Sequence, residues 1–144
     1  LGGGLPGAME GMAGGRIHVR GNAGDRVGDR QRRGLIVIEG DAGDYCGSRM
    51  RAGTIIVLGE AGRHVGAGMR RGTIVLRRQP KLVSATFNSC GVLKMEMLRL
   101  LFRSLRREHR RFSVLEQLGP RAERMVGDIA LGGKGELLLL AGPE

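Results

Sequence analysis

One nineteen-residue phrase, repeated between Gly15 and Leu76, constrains this chain more than any other feature. Gly15, Gly34, Gly53 and Gly72 fall nineteen apart, as do Gly24, Gly43 and Gly62, then Gly28, Gly47 and Gly66, and Gly21, Gly40 and Gly59. Apolar positions keep the same phase. Ile17, Ile36, Ile55 and Ile74 form one column, and Val19, Ile38, Val57 and Leu76 another. Ala23, Ala42 and Ala61 form a third column, and Val27, Cys46 and Val65 a fourth. A fixed period with fixed glycines marks a solenoid, each repeat being one coil stacked on the last.

The period selects the kind of solenoid. Helical repeats need about 33 residues or more for two helices and their turns, and nineteen is too few. Short β-branched runs such as Thr54-Ile55-Ile56-Val57-Leu58 lie between glycines and read as strands bounded by turns. An all-β solenoid follows, with like residues stacked roughly 4.8 Å apart. Alternation points Ile55 and Val57 inward and Thr54 and Ile56 outward, and the Ala and Val/Cys columns fill the corners.

Composition agrees. The 144 residues make about one domain, and a hydrophobic content of 41% suffices for a core. Aromatics at 3% suit a core of aliphatic stacks. The 27 glycines far exceed an average share of roughly 7%, yet their nineteen-residue spacing excludes collagen. No apolar run approaches the roughly 18 residues of a membrane span, and no signal-peptide pattern is present. Two cysteines without metal-ligand spacing point to a reducing compartment, so the cytoplasm is the expected setting. The β-helix is expected over 1–79, and a helical segment with a closing segment over 80–144. Gly11-Met12-Ala13-Gly14-Gly15 keeps phase with Arg49-Met50-Arg51-Ala52-Gly53, and nothing before it reads as a cap; further coils upstream are expected.

The net charge of +10 is concentrated in two places. Arg32, Arg51 and Arg70 occupy one column of the repeat, with Arg30 and Arg49 two residues earlier and Arg33 and Arg71 one later. Like charges one rung apart repel by something of order 1 kcal/mol per pair near a surface. Such a ladder is either a solvated face or a contact for an acidic subunit or polyanionic ligand. The second concentration is a helix expected from Val92 to about Arg107, with Met97, Leu98, Leu101, Phe102 and Leu105 on one face. Glu96, Arg99, Arg103, Arg106 and Arg110 fall opposite. The apolar face is expected to cover the outward column His18, Val37, Ile56 and Val75. Nucleic acid is disfavoured, since no known motif and almost no stacking aromatic accompanies the basic face. A membrane-surface role is disfavoured too, for want of Trp.

Ser113 and Glu116 form a capping-box pattern for a short helix ending near Leu118, before Gly119-Pro120. Gly132-Gly133-Lys134-Gly135 lacks the Ser/Thr of a phosphate loop and reads as a turn before a final apolar strand. No catalytic constellation assembles. His18, His64 and His109 are spread without ligand spacing, Cys46 shares a core column, and Cys90 lies in an Asn88–Gly91 link where a nucleophile would need a base. Asp25, Asp41 and Asp44 lack the nonapeptide calcium repeat. Catalytic and metal-ligating residues are therefore not expected in this chain.

Gly40-Asp41-Ala42-Gly43 through Gly47, Met50 and Gly53 resembles the β-helix shared by two kinds of protein. One is the C-terminal domain of the large subunit of glutamate synthase. The other is the β-helical subunit of formylmethanofuran dehydrogenase and of its bacterial counterpart, the formyltransferase/hydrolase complex. Gly15-Arg16-Ile17-His18-Val19-Arg20-Gly21-Asn22-Ala23-Gly24, Gly28-Asp29-Arg30, Gly66-Ala67-Gly68-Met69, Gly127-Asp128 and Gly133-Lys134-Gly135-Glu136 resemble the second of these in particular. The resemblance implies a right-handed, single-stranded β-helix with a helical C-terminal cap. It implies a scaffold in a complex that moves a formyl group to or from a methanofuran-type carrier in one-carbon metabolism. In that family the zinc hydrolase site, the formyltransferase site and any molybdenum or tungsten redox site belong to other subunits, so amidohydrolase-like and formyltransferase partners are implied. The carrier has a glutamate-rich tail, which the column Arg32, Arg51 and Arg70 could contact. A structural domain of glutamate synthase is the alternative.

Overall fold

The computed structural model describes residues 13–142. Four parallel strands come first: β1 (Ala13–Val19), β2 (Arg33–Ile38), β3 (Thr54–Val57) and β4 (Thr73–Leu76). Then follow β5 (Asn88–Lys94), α1 (Glu96–Glu108), a 3-10 turn (Arg110–Phe112), α2 (Ser113–Leu118), β6 (Arg121–Gly127), a second 3-10 turn (Ile129–Leu131) and β7 (Gly135–Leu140). All seven strands share one sheet, ordered β1-β2-β3-β4-β7-β6-β5. The last strand therefore returns to lie parallel beside β4, with Leu137 opposite Ile74, and forms the next rung. The expected β-solenoid of nineteen-residue coils is present, since Ile17 pairs with Ile36, Ile36 with Ile55, and Ile55 with Ile74.

The coils stay in register away from the strands because short polar side chains tie each coil to the next. The Asp41 N–H donates to Asn22 Oδ1 at 2.7 Å and the Glu60 N–H to Asp41 Oδ1 at 2.8 Å. One corner on, the Asp44 N–H donates to Asp25 Oδ1 at 2.7 Å and the Arg63 N–H to Asp44 Oδ1 at 2.8 Å. These bonds also account for two glycine columns. A Cβ at Gly59 would overlap the Asp41 carboxylate and the Gly40 carbonyl, and one at Gly62 would overlap the Asp44 carboxylate. At Gly47 the requirement is conformational as well: φ is 69°, and a Cβ would run into the Ile74 side chain.

Two apolar cores lie on opposite faces of the sheet. Inside the solenoid, Ile36, Ile55, Ile74, Ile38, Val57 and Leu76 stack with Val27, Cys46, Val65, Ala42 and Ala61, as expected from the columns. Phe87, Met125 and Leu137 close this interior at its far end. Outside it, Val37, Ile56, Val75 and Leu138 are covered by Leu98, Phe102 and Leu105 of α1 with Phe112 and Leu115. The outward column is thus buried because α1 and α2 lie along it, and the helical stripe at spacing four and three is what makes this fit.

Three expectations are corrected. The helix does not begin at Val92: Val92, Leu93 and Lys94 belong to β5, opposite Glu123, Ala122 and Arg121 of β6. Their apolar phase matches a helix, but the antiparallel ladder takes their backbone groups. Met97 leaves the buried stripe and is 42% exposed. The Ser113 and Glu116 capping box does not form: Phe112 occupies the N-cap without a side-chain bond, and Glu116 instead pairs with Arg106 at 3.2 Å. The preceding 3-10 turn runs straight into α2, so Ser113 already has helical backbone. The expectation about residues before Ala13 lies outside the described residues.

Candidate functional site

A basic edge runs along the corner where each coil enters its strand. Arg32, Arg51 and Arg70 are all exposed. Their backbone is locked coil to coil, the Arg51 N–H donating to the Gln31 carbonyl and the Arg70 N–H to the Met50 carbonyl, both at 2.8 Å. Exposed Arg33 and Arg71 stand beside this column, and exposed Lys134 lengthens it by one rung, its N–H donating to the Arg70 carbonyl at 2.6 Å. Arg49 has a different role. Its guanidinium holds the buried Asp29 carboxylate at 2.8 and 3.1 Å, with the Ser48 hydroxyl donating to Asp29 at 2.6 Å and Arg30 at 3.9 Å. The edge therefore offers fixed backbone and long cationic side chains in a row at the coil spacing, which suits an extended anion with repeated carboxylates.

The glycines of the repeat are structural, as expected. Gly15, Gly28, Gly34, Gly47, Gly53, Gly66 and Gly72 take left-handed backbone, while Gly24, Gly43 and Gly62 are linked in turn by N–H to carbonyl bonds. A column that shares no chemistry in the sequence stands between them. Arg26, Tyr45 and His64 all have φ near 60°, the Tyr45 and His64 rings stack at 4.9 Å, and the Arg26 guanidinium lies 4.7 Å over Tyr45. Only its spacing of nineteen signals it.

The cysteines and aspartates fall as the sequence predicts, with one change. Cys46 is fully buried, and burial pushes its thiol up to about 12. Cys90 is exposed, but in strand β5 and not in a link; it lies 3.9 Å from the Arg124 guanidinium, which is no base. Asp25, Asp41 and Asp44 are not gathered around a cation, since Asp25 and Asp44 serve one backbone ladder and Asp41 the other.

The histidines are not spread as their spacing suggests. His18 and His109 face each other with ring centroids 5.2 Å apart, each against Phe112. Glu108 completes the cluster, its carboxylate 3.6 Å from His18 Nε2 and ion-paired with Arg16. Glu39, just past the end of β2, is held by Arg111 at 2.8 Å. Burial first, then the charges of His109, Arg111 and Arg16, lower the His18 pKa against the opposing effect of Glu39. Packing of α1 brings His109 here, and no local sequence pattern encodes that.

Among the described residues no helix is long and apolar enough to cross a membrane. The GXGXG motif family matches residues 7–108. A comparison with curated proteins gives no match. Among solved structures, the chain is similar to one in the crystal structure of the formyltransferase/hydrolase complex FhcABCD from Methylorubrum extorquens, solved in complex with methylofuran. Identity is 31% and the TM-score 0.65, over 93% of this chain and 59% of that one. The coils, their glycine columns and this match agree, and the chain belongs to the GXGXG motif family.

Proposed function

We propose that this chain is part of the β-helical subunit of a formyltransferase/hydrolase-type complex, where it acts as a non-catalytic scaffold for transfer of a formyl group to or from a methanofuran-type carrier. The observation that carries this reading is the 31% identity over 93% of the chain to a member of such a complex. That likeness extends beyond the 7–108 family match into the segments after the coils, which a glycine repeat alone would not bring along. The basic edge fits the same reading. Arg32, Arg51 and Arg70 project from successive coils, and a glutamate-rich carrier tail presents carboxylates in series. Partners are then an amidohydrolase-like subunit and a formyltransferase subunit, with any zinc, molybdenum or tungsten held by other subunits.

The test is co-expression of the tagged full chain with the amidohydrolase-like and formyltransferase subunits of the same genome. They are expected to elute together in fixed proportion, and elution of the chain alone contradicts the proposal. In the assembled complex, replacing Arg32, Arg51 and Arg70 by Ala is expected to weaken carrier binding and to flatten its salt dependence, since fewer charges are paired. Carrier binding that is unchanged would leave the column as a solvated face or a subunit contact.

A further inference from the structure

The cluster at the C-terminal end of α1 has no part in the basic edge, and its chemistry is of another kind. His18 in β1 and Glu108 and His109 at the end of α1 each present one ligand atom, and the three atoms lie within 4.8 Å of one another. Two imidazoles and one carboxylate are a common ligand set for zinc and its first-row neighbours, with further positions left for water. Nδ1 of His18 is buried without a hydrogen-bond partner. A doubly protonated ring would leave a buried N–H unpaired, so His18 is held neutral, which is the form that ligates. His109 and Glu108 are exposed, so their side chains can close the remaining gap without disturbing the core. Charge does not forbid a cation, because Arg16 is paired with Glu108 and Arg111 with Glu39.

We propose that His18, Glu108 and His109 form a binding site for a divalent transition metal such as zinc, which clamps the end of α1 to the first described strand. Arg16 is the built-in competitor: its guanidinium occupies the Glu108 carboxylate that the metal would take. Metal uptake therefore exchanges one ion pair for three coordination bonds, and it ties the helical cover to the solenoid.

Titration of the full chain with Co(II), read by visible absorption and followed by displacement with Zn(II), tests the site. One equivalent is expected to bind. His109→Ala and Glu108→Gln are expected to weaken binding by more than the about 10–100-fold typical of an outer-shell change, with unfolding in chelator unchanged because both residues are exposed. Arg16→Gln is expected to tighten binding, a response that a packing role for the cluster would not give. Uptake that is absent, or that survives both His109→Ala and Glu108→Gln, overturns the proposal. Neither result bears on whether the chain enters a formyl-transfer complex.

Discussion

Asp128 joins the closing segment to the third coil, and two opposing effects act on its carboxyl. Burial raises its pKa, while hydrogen bonds from the Gly68 N–H, the Thr86 side chain and the Ala130 N–H together outweigh burial and hold it below the ordinary 3.8. The Gly68 and Ala130 bonds are each 3.0 Å long. A carboxylate with a depressed folded pKa contributes stability that is present above the unfolded value and is lost as pH falls through the folded one. Asp128→Asn places an amide among backbone donors and is expected to cost about 1–3 kcal/mol near neutral pH. The gap should narrow as pH drops below 3.8. Urea unfolding across a pH series checks this, and a gap that stays constant would contradict it. Legibility at this scale was uneven. The Asn22, Asp41, Asp25 and Asp44 ladders lie in the repeat and show as phased polar residues, but their role as acceptors for the next coil needs the stacked geometry. Asp128 stands outside the repeat, and its partners Gly68 and Thr86 come from coil and loop far away in sequence.

The elements divide in the same way. Strands β2, β3 and β4 were legible because each coil meets the same neighbours as the last, so the Ile and Val columns report their own environment. Helix α1 was legible from Leu98, Phe102 and Leu105, and so was the outward column it covers. Its start was not, because Val92 and Leu93 continue the helical phase while pairing with β6. Nor was the meeting of His18 with His109, which depends on how α1 lies on the sheet. If α1 is held mainly by its apolar stripe, Phe102→Ala should cost about 3–5 kcal/mol, as a large cavity usually does. Met97→Ala, at an exposed position, should stay within about 0.5 kcal/mol. Equal losses in thermal unfolding would mean that the covered column Val37, Ile56 and Val75 is not what anchors the helix.

At the scale of the whole molecule, one sheet runs from β1 through β4 and β7 to β5, so the segment after the coils is part of the same structure. Its flank is sealed by α1 and α2, its interior by Phe87 and Met125, and its corner is lined by arginines. A rigid body with a sealed core and a charged edge is suited to organising other chains, and the charge of +10 favours acidic ones. The most direct measurement is a pull-down of the tagged chain from its native cells, with co-purifying proteins identified by mass. The account predicts recovery with an amidohydrolase-like subunit and a formyltransferase subunit in constant ratio through further purification. Recovery of the chain alone, or with nucleic acid, would contradict it.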